Sequence, residues 1–208
     1  SVPMVVLASE YAMVPVSRAA LPNVALREAG LLRVSEDEGA ELLDLPASKA
    51  FAMADHQVAH VYVDRDALDD AAAALAKLDG VAEVCRGERL RELGVAHPNT
   101  GELVLLSEPG AWFAYYWWHD PAKAPGFART VDIHRKPGYD PVELFLDAES
   151  RSIPLDPGLV RGSHGLPPGE VAGCGVLAST QPLTLPPGPR VVTGLAQALM
   201  KSLLSRKS

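Results

Sequence analysis

Two strand-like apolar runs, Phe51-Ala52-Met53-Ala54 and Val58-Ala59-His60-Val61-Tyr62-Val63, meet at the polar joint Asp55-His56-Gln57, and the rest of the chain is placed around them. Short runs rich in Val, aromatic and small apolar residues, broken by a polar cluster, read as strands that end and restart at the cluster. His60 falls on one strand face with Val58 and Tyr62 and reads as a structural residue. The joint itself stays open between two readings: a polar turn, or a pair of donor side chains held at a strand end.

Outward from the joint, the Ala- and Leu-rich stretch 67–78 predicts a helix ending before Gly80, and 81–85 predicts a further strand. A short helix over 88–93 is closed by Gly94, and strands over 102–107 and 112–117 flank the turn signal Pro109-Gly110. This alternation describes a small ferredoxin-like α+β module over 49–118, expected to sit as a cap on a larger sheet. Residues 1–48 and 119–208 then form part of an α/β core, and the fold class is α/β. Within that core, residues 4–8 read as a buried strand of a parallel sheet, which places Ser9-Glu10-Tyr11 just past its carboxyl end, where open α/β sheets bind ligands. Residues 22–29 predict a helix with Pro22 in its first turn and Gly30 at its stop, and 31–34 a strand. The irregular, Pro- and Gly-rich stretch 119–171 carries enough polar residues to read as functional. A stiff spacer over 185–189 precedes a terminal amphipathic helix over 191–204, with Leu195, Leu199 and Leu203 at four-residue steps.

Composition narrows the function. The apolar fraction of 48% and charged fraction of 22% are those of a folded protein, and the net charge of −7 argues against a general binder of nucleic acid or of anionic membranes. No apolar run is long enough for a membrane-spanning helix. Two cysteines, Cys85 and Cys174, exclude a disulfide scaffold and favour a reducing, cytoplasmic compartment. The chain opens at Ser1 and enters an apolar run almost at once, which reads as the carboxyl-terminal part of a larger protein.

Residues able to bind metal or move protons gather at four places: Glu10, Asp55-His56, Asp132-Ile133-His134 and Ser163-His164-Gly165. Each lies at a strand end or in a Gly/Pro-rich loop. Imidazole and carboxylate are the ligands of a divalent transition metal, whose open position activates water or polarises a phosphoryl oxygen. The stretch from Arg129 to Asp140 mixes acid, imidazole, phenol and cations, and its His134, Arg135, Lys136 and Tyr139 read as contacts to an anionic ester. The aromatic run from Trp112 to Trp118 suggests base stacking, but a strand with one face in the core explains it better.

Taken together, Ser9-Glu10-Tyr11, Ala54-Asp55-His56-Gln57 with the strand that follows, the stretch from Val131 to Asp140, and Arg161-Gly162-Ser163-His164-Gly165 resemble the carboxyl-terminal part of bacterial type I phosphodiesterase/nucleotide pyrophosphatase proteins of the alkaline phosphatase superfamily. The phosphonoacetate hydrolases of that superfamily are similar through the cap and the Ser-His-Gly element. The resemblance implies an alkaline-phosphatase-like α/β sandwich with an inserted cap and a divalent metal centre, zinc first and manganese as the alternative, acting on a small phosphoester. It makes His164 a ligand of the first metal. Glu10 and Tyr11 stand where relatives carry an Asp-His pair for the second; Glu10 still offers an oxygen ligand, but a phenol with a pKa of ~10 replaces imidazole poorly, so either the second site is altered or Asp55 and His56 take over, and the latter is expected. The nucleophile of such enzymes comes from the amino-terminal half.

Three functions follow as expectations. The first is a metal-dependent phosphodiester or pyrophosphate hydrolase whose nucleophile comes from another segment or a partner chain. The second is a non-catalytic metal- or nucleotide-binding module derived from such an enzyme. The third is a stand-alone metal hydrolase using Asp55, His56, His134 and His164. Self-association or a tightly held partner chain is expected with any of them.

Overall fold

The structure, a computed structural model, describes residues 3–9, 11–129, 147–167, 174–183 and 192–204. These fall into two compact units, Ser1–Met13 with Pro168–Ser208, and Val14–Pro167.

In the smaller unit β1 (Val6–Ala8) pairs antiparallel with β12 (Leu177–Ser179), Val6 opposite Ser179. Ser9 closes one end of this ladder, its amide donating to the Val176 carbonyl while its hydroxyl accepts from the Val176 amide. The strand expected over 4–8 is therefore short and antiparallel, and Leu7 is 66% exposed rather than buried. Apolar continuity alone predicted burial on both faces; only one edge of β1 is paired among the described residues. The unit ends in the helix α4 (Val192–Leu204), as expected from its leucine spacing.

The larger unit is built on a four-stranded antiparallel sheet in the order β6-β7-β9-β8, formed by β6 (Ala50–Asp55), β7 (Val58–Val63), β8 (Val81–Cys85) and β9 (Leu103–Ser107). Its chemistry explains its layers. Every residue of β9 is buried, the pattern of a strand covered on both faces. One face carries Ala52, Ala59, Val61, Leu103 and Leu105 against Leu26 of α1 (Pro22–Glu28) and Ala71 and Leu75 of α2 (Leu68–Leu75). The other face carries Val104, Leu106 and Cys85 against Leu90 of α3 (Glu88–Glu92) and Leu166. Full burial of each such Leu stabilises the fold by about 1.5–3 kcal/mol.

Four shorter strands and one more hairpin frame this sheet. β2 (Val14–Pro15) pairs antiparallel with β11 (Gly162–Ser163), and β3 (Arg18–Ala20) pairs parallel with β10 (Ala111–Phe113). β4 (Val34–Asp37) and β5 (Ala40–Leu43) make a hairpin just after α1. The strand expected over 31–34 is instead a buried corner at Leu31 and Leu32, with pairing beginning at Val34.

The strands flanking Pro109-Gly110 do not pair with each other. The turn forms, with the Ala111 amide donating to the Glu108 carbonyl, but Ser17 donates to the Gly110 carbonyl and draws the following segment onto β3. β10 stops at Phe113, short of the expected 117, and the aromatic run goes into the core: Phe113, Trp117 and Trp118 are buried, and the Trp117 indole donates to the Glu41 carbonyl at 2.9 Å. Arg27 of α1 pairs with the buried Glu41 of β5 through both carboxylate oxygens and also donates to the Trp117 carbonyl. Among the described residues no helix is long and apolar enough to cross a membrane.

Candidate functional site

Asp55 pairs with Val58 across the β6–β7 hairpin, which leaves His56-Gln57 as a two-residue loop. His56 sits at φ 58, in the left-handed region that non-glycine residues seldom occupy. Three backbone bonds fix the loop. The Phe113 amide donates to the His56 carbonyl at 2.6 Å, the Ser107 amide to the Gln57 carbonyl at 3.0 Å, and the Gln57 amide to the His164 carbonyl at 2.9 Å.

The last of these bonds brings a distant loop to the hairpin. Gly162 and Ser163 lie opposite Pro15 and Val14, and the Val16 amide donates to the Arg161 carbonyl, so the residues before His164 are held as a strand edge. Gly165 then turns the chain at φ 117, a conformation open to glycine, and a Cβ there would meet the Gln57 amide nitrogen at 3.4 Å. His164 is delivered onto the hairpin tip as a result. The His56 and His164 rings lie 3.9 Å apart between centroids, inclined by 38°. Asp55 Oδ1 is 3.9 Å from His56 Nε2, with the Asp55 side chain 78% exposed and that of His56 27% exposed.

Three candidates for metal binding, Asp55, His56 and His164, are thus gathered at one end of the sheet. Glu10, His134, Arg135, Lys136 and Tyr139 lie outside the described residues. Two adjacent imidazoles and a nearby carboxylate have the donor chemistry of a zinc or manganese site. Among the described residues, however, no group of three or more His, Cys, Asp or Glu converges as a metal cage, so these side chains make at most part of a ligand set. The Cys85 thiol offers no nucleophile, because burial and the neighbouring Glu83 push its pKa up to about 11. A shallow depression of about 310 Å³ lies elsewhere, lined by Leu45, Lys49, Phe51, Tyr62, Asp64 and Glu102.

Beneath the imidazoles lies a polar residue that sequence reasoning passed over. The Gln57 side chain is fully buried, and its Nε2 donates to the Ala111 carbonyl at 3.0 Å, the Pro109 carbonyl at 3.3 Å and Ser107 Oγ at 3.4 Å. Gln57 Oε1 and the buried hydroxyl of Ser163 have no hydrogen-bond partner among the described residues. The available signal was a glutamine in a two-residue hairpin loop, where Gly, Asn or Asp is usual.

A mixed α/β protein that sets paired imidazoles at the end of its sheet is one class among many. The sequence narrows it: the pattern of the family described as type I phosphodiesterase / nucleotide pyrophosphatase matches residues 3–140, well over half of the chain. The chain belongs to that family of phosphodiesterase- and pyrophosphatase-like hydrolases, as its motifs led one to expect. Among solved structures it is similar to phosphonoacetate hydrolase from Sinorhizobium meliloti 1021, in complex with phosphonoformate and with phosphonoacetate. Identity is 18% in both cases, with TM-scores of 0.36 and 0.35. Each match covers 54% of this chain and 29% of the hydrolase, so the chain spans less than a third of that protein's length. Among curated proteins none matches.

Proposed function

We propose that this chain contributes His56 and His164 to a divalent metal centre that hydrolyses a small phosphodiester or pyrophosphate. The observation that carries the reading is the contact between two imidazoles from distant parts of the chain, each fixed by its own backbone bonds. Asp55, whose Oδ1 lies 3.9 Å from His56 Nε2, is a carboxylate able to complete the pair, and the remaining ligands would come from outside the described residues. A metal held there, zinc or manganese, would stabilise charge on the phosphoryl oxygens. His134, Arg135, Lys136 and Tyr139 would receive the anionic ester. The attacking group comes from a segment other than the described residues, in this chain or a partner, and self-association belongs to the same proposal. So does a cytoplasmic location.

The architecture we infer is an alkaline-phosphatase-like sandwich capped by the module expected over 49–118. A ferredoxin-like reading of the cap is supported by β7-α2-β8 forming a split β-α-β unit with β9 inserted between its strands. β6 would then serve as the outer strand beside β7.

A second reading, a metal- or nucleotide-binding module without turnover, is favoured by Tyr11 standing where the resemblance calls for an imidazole. Bis(p-nitrophenyl) phosphate with added zinc or manganese, given to the chain together with the segment or partner chain that supplies the attacking group, separates the two. Hydrolysis predicts turnover abolished by EDTA and lowered roughly 100-fold by His164→Ala. Turnover that survives both treatments would overturn the metal-centre proposal, and metal binding through both histidines without turnover would establish the second reading.

A further inference from the structure

We infer that Gln57 is the positioning residue of the imidazole pair: its buried carboxamide locks the hairpin loop so that the His56 ring is held against the His164 ring. The inference deepens the metal-centre proposal and rests on it for the consequence to metal binding, though not for the geometry.

Four observations converge on this side chain. It is fully buried at the tip of a hairpin, where loop side chains ordinarily point to solvent. Its Nε2 reaches three acceptors on the β9–β10 segment, at Ser107, Pro109 and Ala111. Its amide and carbonyl bind the His164 loop and Ser107 in turn, so one residue ties three segments together. His56 is the residue immediately before it and holds a left-handed backbone, which a free two-residue loop would give up to a glycine. A buried amide making several bonds is costly to leave unpaired, so the loop cannot rotate Gln57 outward cheaply. The orientation of His56 is therefore set from below, in the manner of the outer partners that orient metal ligands.

The unpartnered Oε1 fits the same role. An amide placed only to fill the core would be cheaper as Leu or Met, whereas here one end is fully used and the other is tolerated without a partner.

The test uses the isotope-labelled chain and two variants. Gln57→Met keeps the volume and removes the donor. Gln57→Asn keeps an amide but withdraws it by one carbon, and it carries the test if the Met variant does not fold. In the wild type, nuclear Overhauser contacts between the imidazole protons of His56 and His164 are expected. In a variant that retains cooperative unfolding, the inference predicts loss of those contacts together with zinc binding weakened about tenfold or more. Contacts that persist in a folded variant would overturn it. The parent proposal fails separately: if His56→Ala and His164→Ala leave zinc binding unchanged, the pair is not a metal site, whatever the Gln57 variants do to the ring contact.

Discussion

Among the described residues of the larger unit, two hairpins have two-residue loops, and they solve the same backbone problem in opposite ways. In β4–β5 the loop is Glu38-Gly39, with φ 50 and 86, both residues exposed and a glycine in the second position. That is the usual chemistry of a tight hairpin turn, which needs no help from the rest of the protein. In β6–β7 the loop is His56-Gln57, with the histidine at φ 58 and the glutamine fully buried. Nothing local favours that turn. It is held by bonds to Ser107, Phe113, Ala111 and His164, so its geometry is a tertiary product. The polar anchor of β4–β5 lies instead in the strand, where Glu41 is 8% exposed and paired with Arg27. One hairpin uses its buried polar group to hold a strand; the other uses it to aim a side chain.

The largest expected effect breaks the first of these anchors. Glu41→Leu strands Arg27 in a partly buried site and is expected to cost about 3–5 kcal/mol in chemical denaturation at neutral pH. The hydrogen bond from Arg27 holds the Glu41 carboxyl below its ordinary range, against the opposing effect of burial. A depressed carboxylate contributes stability above its unfolded pKa, near ~4, and loses it as pH falls through the folded value. Wild-type stability should therefore fall as the solution is acidified below that range, and the Leu variant should show a shallower fall. An equal acid slope in both would remove Glu41 from the account.

The second hairpin should respond differently. His56→Gly relieves a left-handed non-glycine residue and is expected to stabilise the chain by about 1 kcal/mol while weakening zinc binding. That is the signature of a strained functional residue. A loss of stability would mean that ring packing outweighs the backbone cost. Gly39→Ala, at the exposed loop, should cost about 1 kcal/mol in the opposite sense and leave zinc binding untouched. A change in metal affinity there would erase the distinction between the two turns.

Much of the unit was legible from local pattern. The strands at Phe51 and Val58 and the helices starting at Pro22, Leu68 and Glu88 follow from apolar runs and periodicity with Pro and Gly at their ends. The parallel pairing of β10 with β3 was not, because two three-residue strands some ninety residues apart leave no periodic trace in either. The same limit applies to the site. His56 and His164 were both singled out, yet their meeting depends on one bond from the Gln57 amide across more than a hundred residues of chain. Gln57 was passed over because whether a loop side chain turns inward is decided by what covers it, here Ser107 and the β9–β10 turn.

The most direct test of the central claim is the zinc retained after exhaustive dialysis by the chain, by His56→Ala and by His164→Ala, measured by elemental analysis. About one equivalent in the wild type, lost in both variants, is the predicted result for a centre that uses the two imidazoles together. Zinc retained equally by all three proteins would contradict it.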